Sequence, residues 1–155
     1  MSAGEDRKAA LERARRVVVK VGSAILTTKT GLDPRAVNRL ADQLAGLHDR
    51  GLELVLVSSG AVAAGRGLMR SLNQESALEL TDLPGRQAAS AIGQSRLMHE
   101  YDEAFARYGK ATAQVLLTRD DLRHRQRFLN ARNTMRRLLD WRVIPIVNEN
   151  DTVAV

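Results

Sequence analysis

Cysteine is absent from the sequence, which excludes disulfides and thiolate metal sites and suits a reducing cytoplasm. Aromatic residues make up only 3% of it, so a core has to be built from Val, Leu, Ile and Ala, the composition of a parallel sheet covered by helices. No stretch approaches the roughly 20 apolar residues of a membrane span. The N-terminus, Met1-Ser-Ala-Gly-Glu-Asp-Arg-Lys8, carries charges where a signal peptide needs an apolar run. A soluble, cytoplasmic chain is expected. Internal repeats and low-complexity segments are also missing. So is any Gly-x-x-x-x-Gly-Lys run, which excludes a P-loop.

What is present supports one domain. At 155 residues and 44% hydrophobic content the chain can bury a sizeable core. Lys and Arg number 24 against 18 Asp and Glu, a net charge of +6. That excess suits anionic small molecules as well as nucleic acid. Because the charge is spread along the chain and few aromatics are available to stack bases, nucleic acid is not the expected partner.

Apolar runs and helical stripes alternate. Arg16 to Gly22 reads as a strand buried on both faces, followed by a Thr-rich loop. Asp33-Pro34 opens a helix as cap and first turn, with Val37, Leu40, Ala41, Leu44 and Leu47 on one face and Gly51 beyond its end. Leu52 to Val57 is a second strand, running into Ser58-Ser59-Gly60 and a small-residue helix start at Ala61. Residues from about Gly67 to Leu83 read as irregular. Pro84 begins a long helix whose expected inner face is Ala88, Ile92, Met98, Tyr101 and Phe105, ending at Gly109. Ala113 to Leu117 is a third strand. After the charged stretch Arg119 to Arg127 comes a helix with Phe128, Met135, Leu138 and Leu139 on one side and Arg132 and Arg136 on the other. Val143 to Val147 is a fourth strand, running into Asn148-Glu149-Asn150-Asp151. This alternation predicts an α/β fold, a three-layer sandwich with a mostly parallel sheet covered by helices. Residues 1–15 form a polar tail, and 16–155 form one domain whose sheet is expected to continue past Val155.

Parallel strands deliver their C-terminal ends to one edge, where open α/β sheets bind ligands. That edge gathers Lys20-Val21-Gly22-Ser23, Ser58-Ser59-Gly60, Thr118 and Asn148-Glu149-Asn150-Asp151. Lys20 interrupts a valine run, where an unpaired buried charge costs several kcal/mol. It either snorkels to water from the sheet edge or serves as a cation aimed at phosphate. Gly22 and Ser23 offer backbone amides to anionic oxygens, or else form an ordinary turn. Ser58-Ser59-Gly60 at a helix start offers a seat for a carboxylate or phosphate, or a plain cap. Glu149 and Asp151 could hold an ammonium group or a metal, or belong to a polar turn. His48, His99 and His124 are expected at the surface.

The motifs Val18-Val-Lys-Val-Gly-Ser23, Val55-Leu-Val-Ser-Ser-Gly-Ala-Val-Ala-Ala-Gly65, Gln87-Ala-Ala-Ser-Ala-Ile-Gly-Gln-Ser-Arg-Leu97, Gln114-Val-Leu-Leu-Thr118, Arg127-Phe-Leu-Asn-Ala-Arg132 and Ile146-Val-Asn-Glu-Asn-Asp151 resemble the glutamate 5-kinase family. They follow its order and cover nearly everything past the tail. The first two alone would mark only the broader amino-acid kinase superfamily. The resemblance implies the N-terminal portion of the amino-acid kinase fold. The implied reaction is ATP-dependent phosphorylation of the L-glutamate side-chain carboxylate, the first step of proline biosynthesis. It further implies Lys20 as catalytic and, with Gly22 and Ser23, ATP-binding. Ser59, Gly60 and Asp151 become substrate-binding, with Mg²⁺ accompanying ATP and no metal cage in this stretch. A homo-oligomer is implied as well. Ala24 stands where many relatives carry a second small hydroxyl. The nucleotide-binding half and a second catalytic lysine would lie beyond Val155, so residues 1–155 alone are expected to be inactive. The alternatives are a relative acting on aspartate, N-acetylglutamate, carbamate or a nucleoside monophosphate, and a basic nucleic-acid-binding module.

Overall fold

The computed structural model describes residue 9, residues 12–74 and residues 81–154. Most of the tail anticipated over 1–15 and part of the irregular stretch after Gly67 thus lie outside the described residues.

Each apolar run becomes a strand: β1 (Arg16–Val21), β4 (Glu53–Ser58), β5 (Thr112–Leu117) and β6 (Ile144–Glu149). They form one four-stranded sheet in the order β1-β4-β6-β5, every neighbouring pair parallel. Between β1 and β4 lie a short helix α1 (Ser23–Leu26), a two-residue hairpin β2 (Thr27–Thr28) and β3 (Gly31–Leu32), and helix α2 (Pro34–Asp49). Asp33 caps α2, its Oδ1 accepting from the Arg35 amide at 3.0 Å. Between β4 and β5 lie α3 (Ala61–Ser71) and α4 (Leu83–Ala106). Asp82 caps α4 by accepting from the Gly85 amide at 2.9 Å. Between β5 and β6 lie α5 (Arg119–Arg123) and α6 (Arg125–Asp140).

The connections from β1 to β4 and from β4 to β5 run across the sheet one way; that from β5 to β6 runs back. Right-handed crossovers therefore put α2, α3 and α4 on one face and α6 on the other. The register separates the two faces. Val19, Leu56, Ile146 and Gln114 form one row, and Lys20, Val57, Val147 and Val115 the next. Val21, Leu54, Leu56, Ile144 and Ile146 pack with Val37, Ala41 and Leu44 of α2 and with Leu97, Tyr101 and Phe105 of α4. Removing this apolar surface from water stabilises the domain by about 25 cal/mol per Å².

Several expectations need correction. β1 is an edge strand covered on one face only: Arg16, Val18 and Lys20 are exposed, Val18 at 62%. The Thr-rich loop is structured as α1 and the hairpin. The helix opening at Ala61 continues to Ser71, past the Gly67 where irregular structure was expected. In α4, Ala88 is exposed, Ile92 is only half-buried, and Ala89, Gly93 and Leu97 face inward. The reason is a close helix crossing. A Cβ added at Gly93 would overlap the Ala61 carbonyl oxygen, and one at Gly65 would overlap that of Ala89. Phe128 is exposed because α6 turns Leu139, not Phe128, to the sheet. His48 is buried rather than at the surface, whereas His99 and His124 are exposed.

Candidate active site

β1 ends at Val21, and Gly22 turns the chain in extended geometry into α1, so Ser23 opens that short helix. Next to it β4 ends at Ser58. The Ser59 amide and hydroxyl both donate to the Val21 carbonyl, at 3.1 and 3.2 Å, tying the two strand ends together. Gly60 then adopts φ +112, a left-handed conformation open to glycine, and starts α3. A Cβ there would stand 3.8 Å from Ser23, so the two loops lie side by side.

Two adjoining cavities open at this edge. One, of about 380 Å³, runs across all four strand ends and is lined by Lys20, Ser59, Thr118, Asn148 and Glu149 among others. The other, of about 370 Å³, is lined by Ser23, Ser59, Gly60, Asn148, Glu149 and Asp151, and also by Arg66. Ser59, Asn148 and Glu149 belong to both. Of the residues singled out from the sequence, Lys20, Ser23, Ser59, Gly60 and Asp151 thus line this pair of cavities. Gly22 lies between Val21 and Ser23 without lining either.

Lys20 takes the sheet-edge placement that was one of its two sequence readings, on a strand that is not buried on both faces. Its strand is open on that face, so the ammonium is not buried. Among the described residues it has no carboxylate partner, and its position beside the strand end, not a desolvated charge, brings it to the cavity.

Side chains beneath the edge hold it from the core side. Ser58 turns inward and shares a 2.8 Å hydrogen bond with the Tyr101 hydroxyl. Burial pushes the Tyr101 hydroxyl up to about 12, with the Ser58 contact acting slightly the other way. Asn148 donates through Nδ2 to Gln94 Oε1 at 2.8 Å and accepts from the Glu149 amide at 2.9 Å. Ser90 donates to Asp151 Oδ2 at 2.6 Å, and Gln87 Nε2 to the Ala154 carbonyl at 3.0 Å. Thr118 ends β5 in a reciprocal cap with Asp121, whose carboxyl those hydrogen bonds hold below the usual range.

Ser58 was read from the sequence as part of the ligand edge, whereas Tyr101, Gln87, Ser90 and Gln94 were not read as site-supporting residues. The signal was available: Gln87, Ser90 and Gln94 are polar residues at i, i+3 and i+7 in an otherwise Ala-rich helix, hence on one face.

Among the described residues no group of three or more His, Asp or Glu side chains comes together as a metal cage. Magnesium is commonly held by one or two carboxylates with water and nucleotide phosphates, and Glu149, which lines both cavities, suits that lesser role. No helix is long and apolar enough to cross a membrane among the described residues.

Curated relatives carry the same sequence closely. The chain is 68% identical over 145 residues to a protein of Maridesulfovibrio salexigens named glutamate 5-kinase, covering 94% of this chain and 37% of that protein. It is 65% identical over 151 residues to the glutamate 5-kinase of Nitratidesulfovibrio vulgaris, covering 97% and 38%. It is 52% identical over 150 residues to that of Trichlorobacter lovleyi, covering 96% and 39%. The chain therefore spans well under half the length of these relatives. The family model described as "Amino acid kinase family" matches residues 15–155. With a parallel α/β sheet, cavities along its C-terminal edge and that match over nearly its whole length, the chain belongs to the amino acid kinase family.

Proposed function

We propose that the protein carrying this chain is a glutamate 5-kinase, which moves the γ-phosphoryl group of ATP onto the side-chain carboxylate of L-glutamate as the first step of proline biosynthesis. A carboxylate oxygen attacks the γ-phosphorus, its bond to the β–γ bridging oxygen breaks, and ADP leaves carrying that oxygen and the bonding electron pair. Two anions must meet in line, so the site has to cancel charge and fix orientation. Lys20 neutralises phosphate oxygens and the charge that builds on them in transit. The amides at Gly22 and Ser23 bind phosphate oxygens beside it. Ser59, with the Gly60 amide at the start of α3, binds the glutamate, and Asp151 accepts its α-ammonium. Ala24 leaves one phosphate contact fewer than a second hydroxyl would give. Magnesium, when bound with ATP, supplies further charge neutralisation.

The observation that supports this reading is that Ser59, Asn148 and Glu149 line both the cavity reached by Lys20 and the cavity flanked by Gly60 and Asp151. Nucleotide and amino acid then have adjoining seats. The same reading extends to a self-associating cytoplasmic enzyme, and light scattering tests the self-association.

ADP release by the full-length protein should depend on L-glutamate. Aspartate, N-acetylglutamate, carbamate and nucleoside monophosphates should give none; stimulation by one of these instead would overturn the assignment. Residues 1–155 by themselves should release no ADP in response to glutamate.

A further inference from the structure

The turn that carries Asp151 is short and lies at the end of β6, where little besides its own backbone would fix it. The amides of Val153 and Ala154 both donate to the Asn150 carbonyl, and the Asn150 amide donates to Leu117. One face of α4 supplies the rest. Gln94 meets Asn148, Ser90 meets Asp151 and Gln87 meets Ala154, so three polar side chains at i, i+3 and i+7 grip the segment at successive points. Ser90 is only 4% exposed and lines neither cavity of the edge. Its contact at 2.6 Å is to a carboxylate, a strong kind of hydrogen bond, and it engages Oδ2 alone. Oδ1 has no hydrogen-bond partner among the described residues, and Asp151 lines the cavity that also holds Ser59 and Gly60.

We propose that Ser90 is a positioning residue that sets the orientation of the Asp151 carboxylate and thereby the affinity for the amino-acid substrate, while Gln87 and Gln94 hold the turn that bears it. This rests on the reading of Asp151 as the acceptor of the substrate ammonium. Removing the hydroxyl frees the carboxylate to rotate but leaves both flanking grips intact. The loss therefore falls on substrate binding, not on folding or on the nucleotide.

The experiment is a kinetic cycle on the full-length protein with S90A, D151N and the double variant, and with S90C as a near-isosteric variant of weaker donor strength. S90A should raise KM for L-glutamate about tenfold, the size expected for one hydrogen bond to a charged group. Its kcat should stay within about twofold and KM for ATP should not change. S90C should fall between serine and alanine. In the D151N background S90A should add less than about twofold, because the two residues act as one unit. A drop in kcat and in the unfolding midpoint without the rise in KM, or a full additional effect on top of D151N, would show a structural role and overturn the proposal. If D151N itself leaves KM for glutamate unchanged, or the wild type does not phosphorylate glutamate, the underlying reading of the site fails and the proposal with it. If D151N raises KM and S90A does not, Ser90 alone is refuted.

Discussion

Lys20 extends from the uncovered face of β1 with no carboxylate paired to it among the described residues, so a neutral side chain of similar length would cost the fold little. K20M should therefore keep its unfolding midpoint, as exposed substitutions usually change stability by no more than about 0.5 kcal/mol. Its kcat in the full-length protein should fall by about 10²-fold or more, the usual effect of removing a group that stabilises transition-state charge. Parallel melting curves and initial rates check both halves. Tyr101 is the opposite case. It is fully buried against Phe105, and its hydroxyl is held by Ser58 directly behind the site. Y101F leaves the buried Ser58 hydroxyl without this partner and should cost about 1–2 kcal/mol in denaturant unfolding. Of the two tyrosines, Tyr101 should ionise last, near pH 12, in a spectrophotometric titration. Tyr108 is raised as well, first through its hydrogen bond to Asp42, but it is exposed.

The two helices between β4 and β5 decide where the proposed glutamate seat lies, because α3 begins just after Gly60 and α4 carries the residues beneath Asn148 and Asp151. Their crossing depends on Gly65 and Gly93, where backbone meets backbone and no rotamer change can make room for a methyl group. G93A should destabilise the domain by about 3 kcal/mol or more, the upper range for overpacking. By pushing Ala61 outward it should also weaken glutamate binding in whatever fraction stays folded. Thermal unfolding and calorimetry measure the two effects. This crossing explains which features were legible in sequence. Strands β1, β4, β5 and β6 and the cap of α2 could be read because the apolar runs stop at Gly22, Ser58, Thr118 and Asn148, and because Asp33-Pro34 has one local meaning. The inner face of α4 could not. A helix rich in Ala, Gly and Ser presents little contrast between its sides, and the true inner face is selected by a partner helix that periodicity does not contain. The openness of β1 was hidden for a related reason: Val17, Val18 and Val19 look alike although only Val18 lies bare.

Over the whole molecule, the parallel topology made the location of the candidate site legible. Once four strands run the same way, their polar ends must meet, and Lys20, Ser23, Ser59, Gly60 and Asp151 meet as that argument requires. The opposite end of the sheet carries another feature that sequence reading placed wrongly. His48, 5% exposed, ends the inner face of α2, and its Nδ1 has no hydrogen-bond partner. Its carbonyl accepts from Arg142 Nη2 at 2.5 Å, which joins α2 to the turn before β6. Burial is the main cause that lowers its pKa. The Arg142 and Lys110 charges push the same way, against smaller opposing pulls from a backbone hydrogen bond with Arg142 and then from Asp49, which itself pairs with Lys110. The folded chain thus keeps His48 neutral at a pH where the unfolded chain, with an ordinary value of about 6.5, has begun to bind a proton. The unfolded state then holds more protons, so stability rises with pH through that interval and is lost as pH falls below about 6.5. H48L replaces the ring by an apolar side chain and leaves the carbonyl contact with Arg142 in place. Its unfolding midpoint should match or exceed the wild type's at pH 5 and should vary less between pH 7.5 and 5. His99 and His124 are exposed and remain in both proteins. An H48L midpoint that falls with acid as steeply as the wild type's would assign the acid sensitivity to other groups.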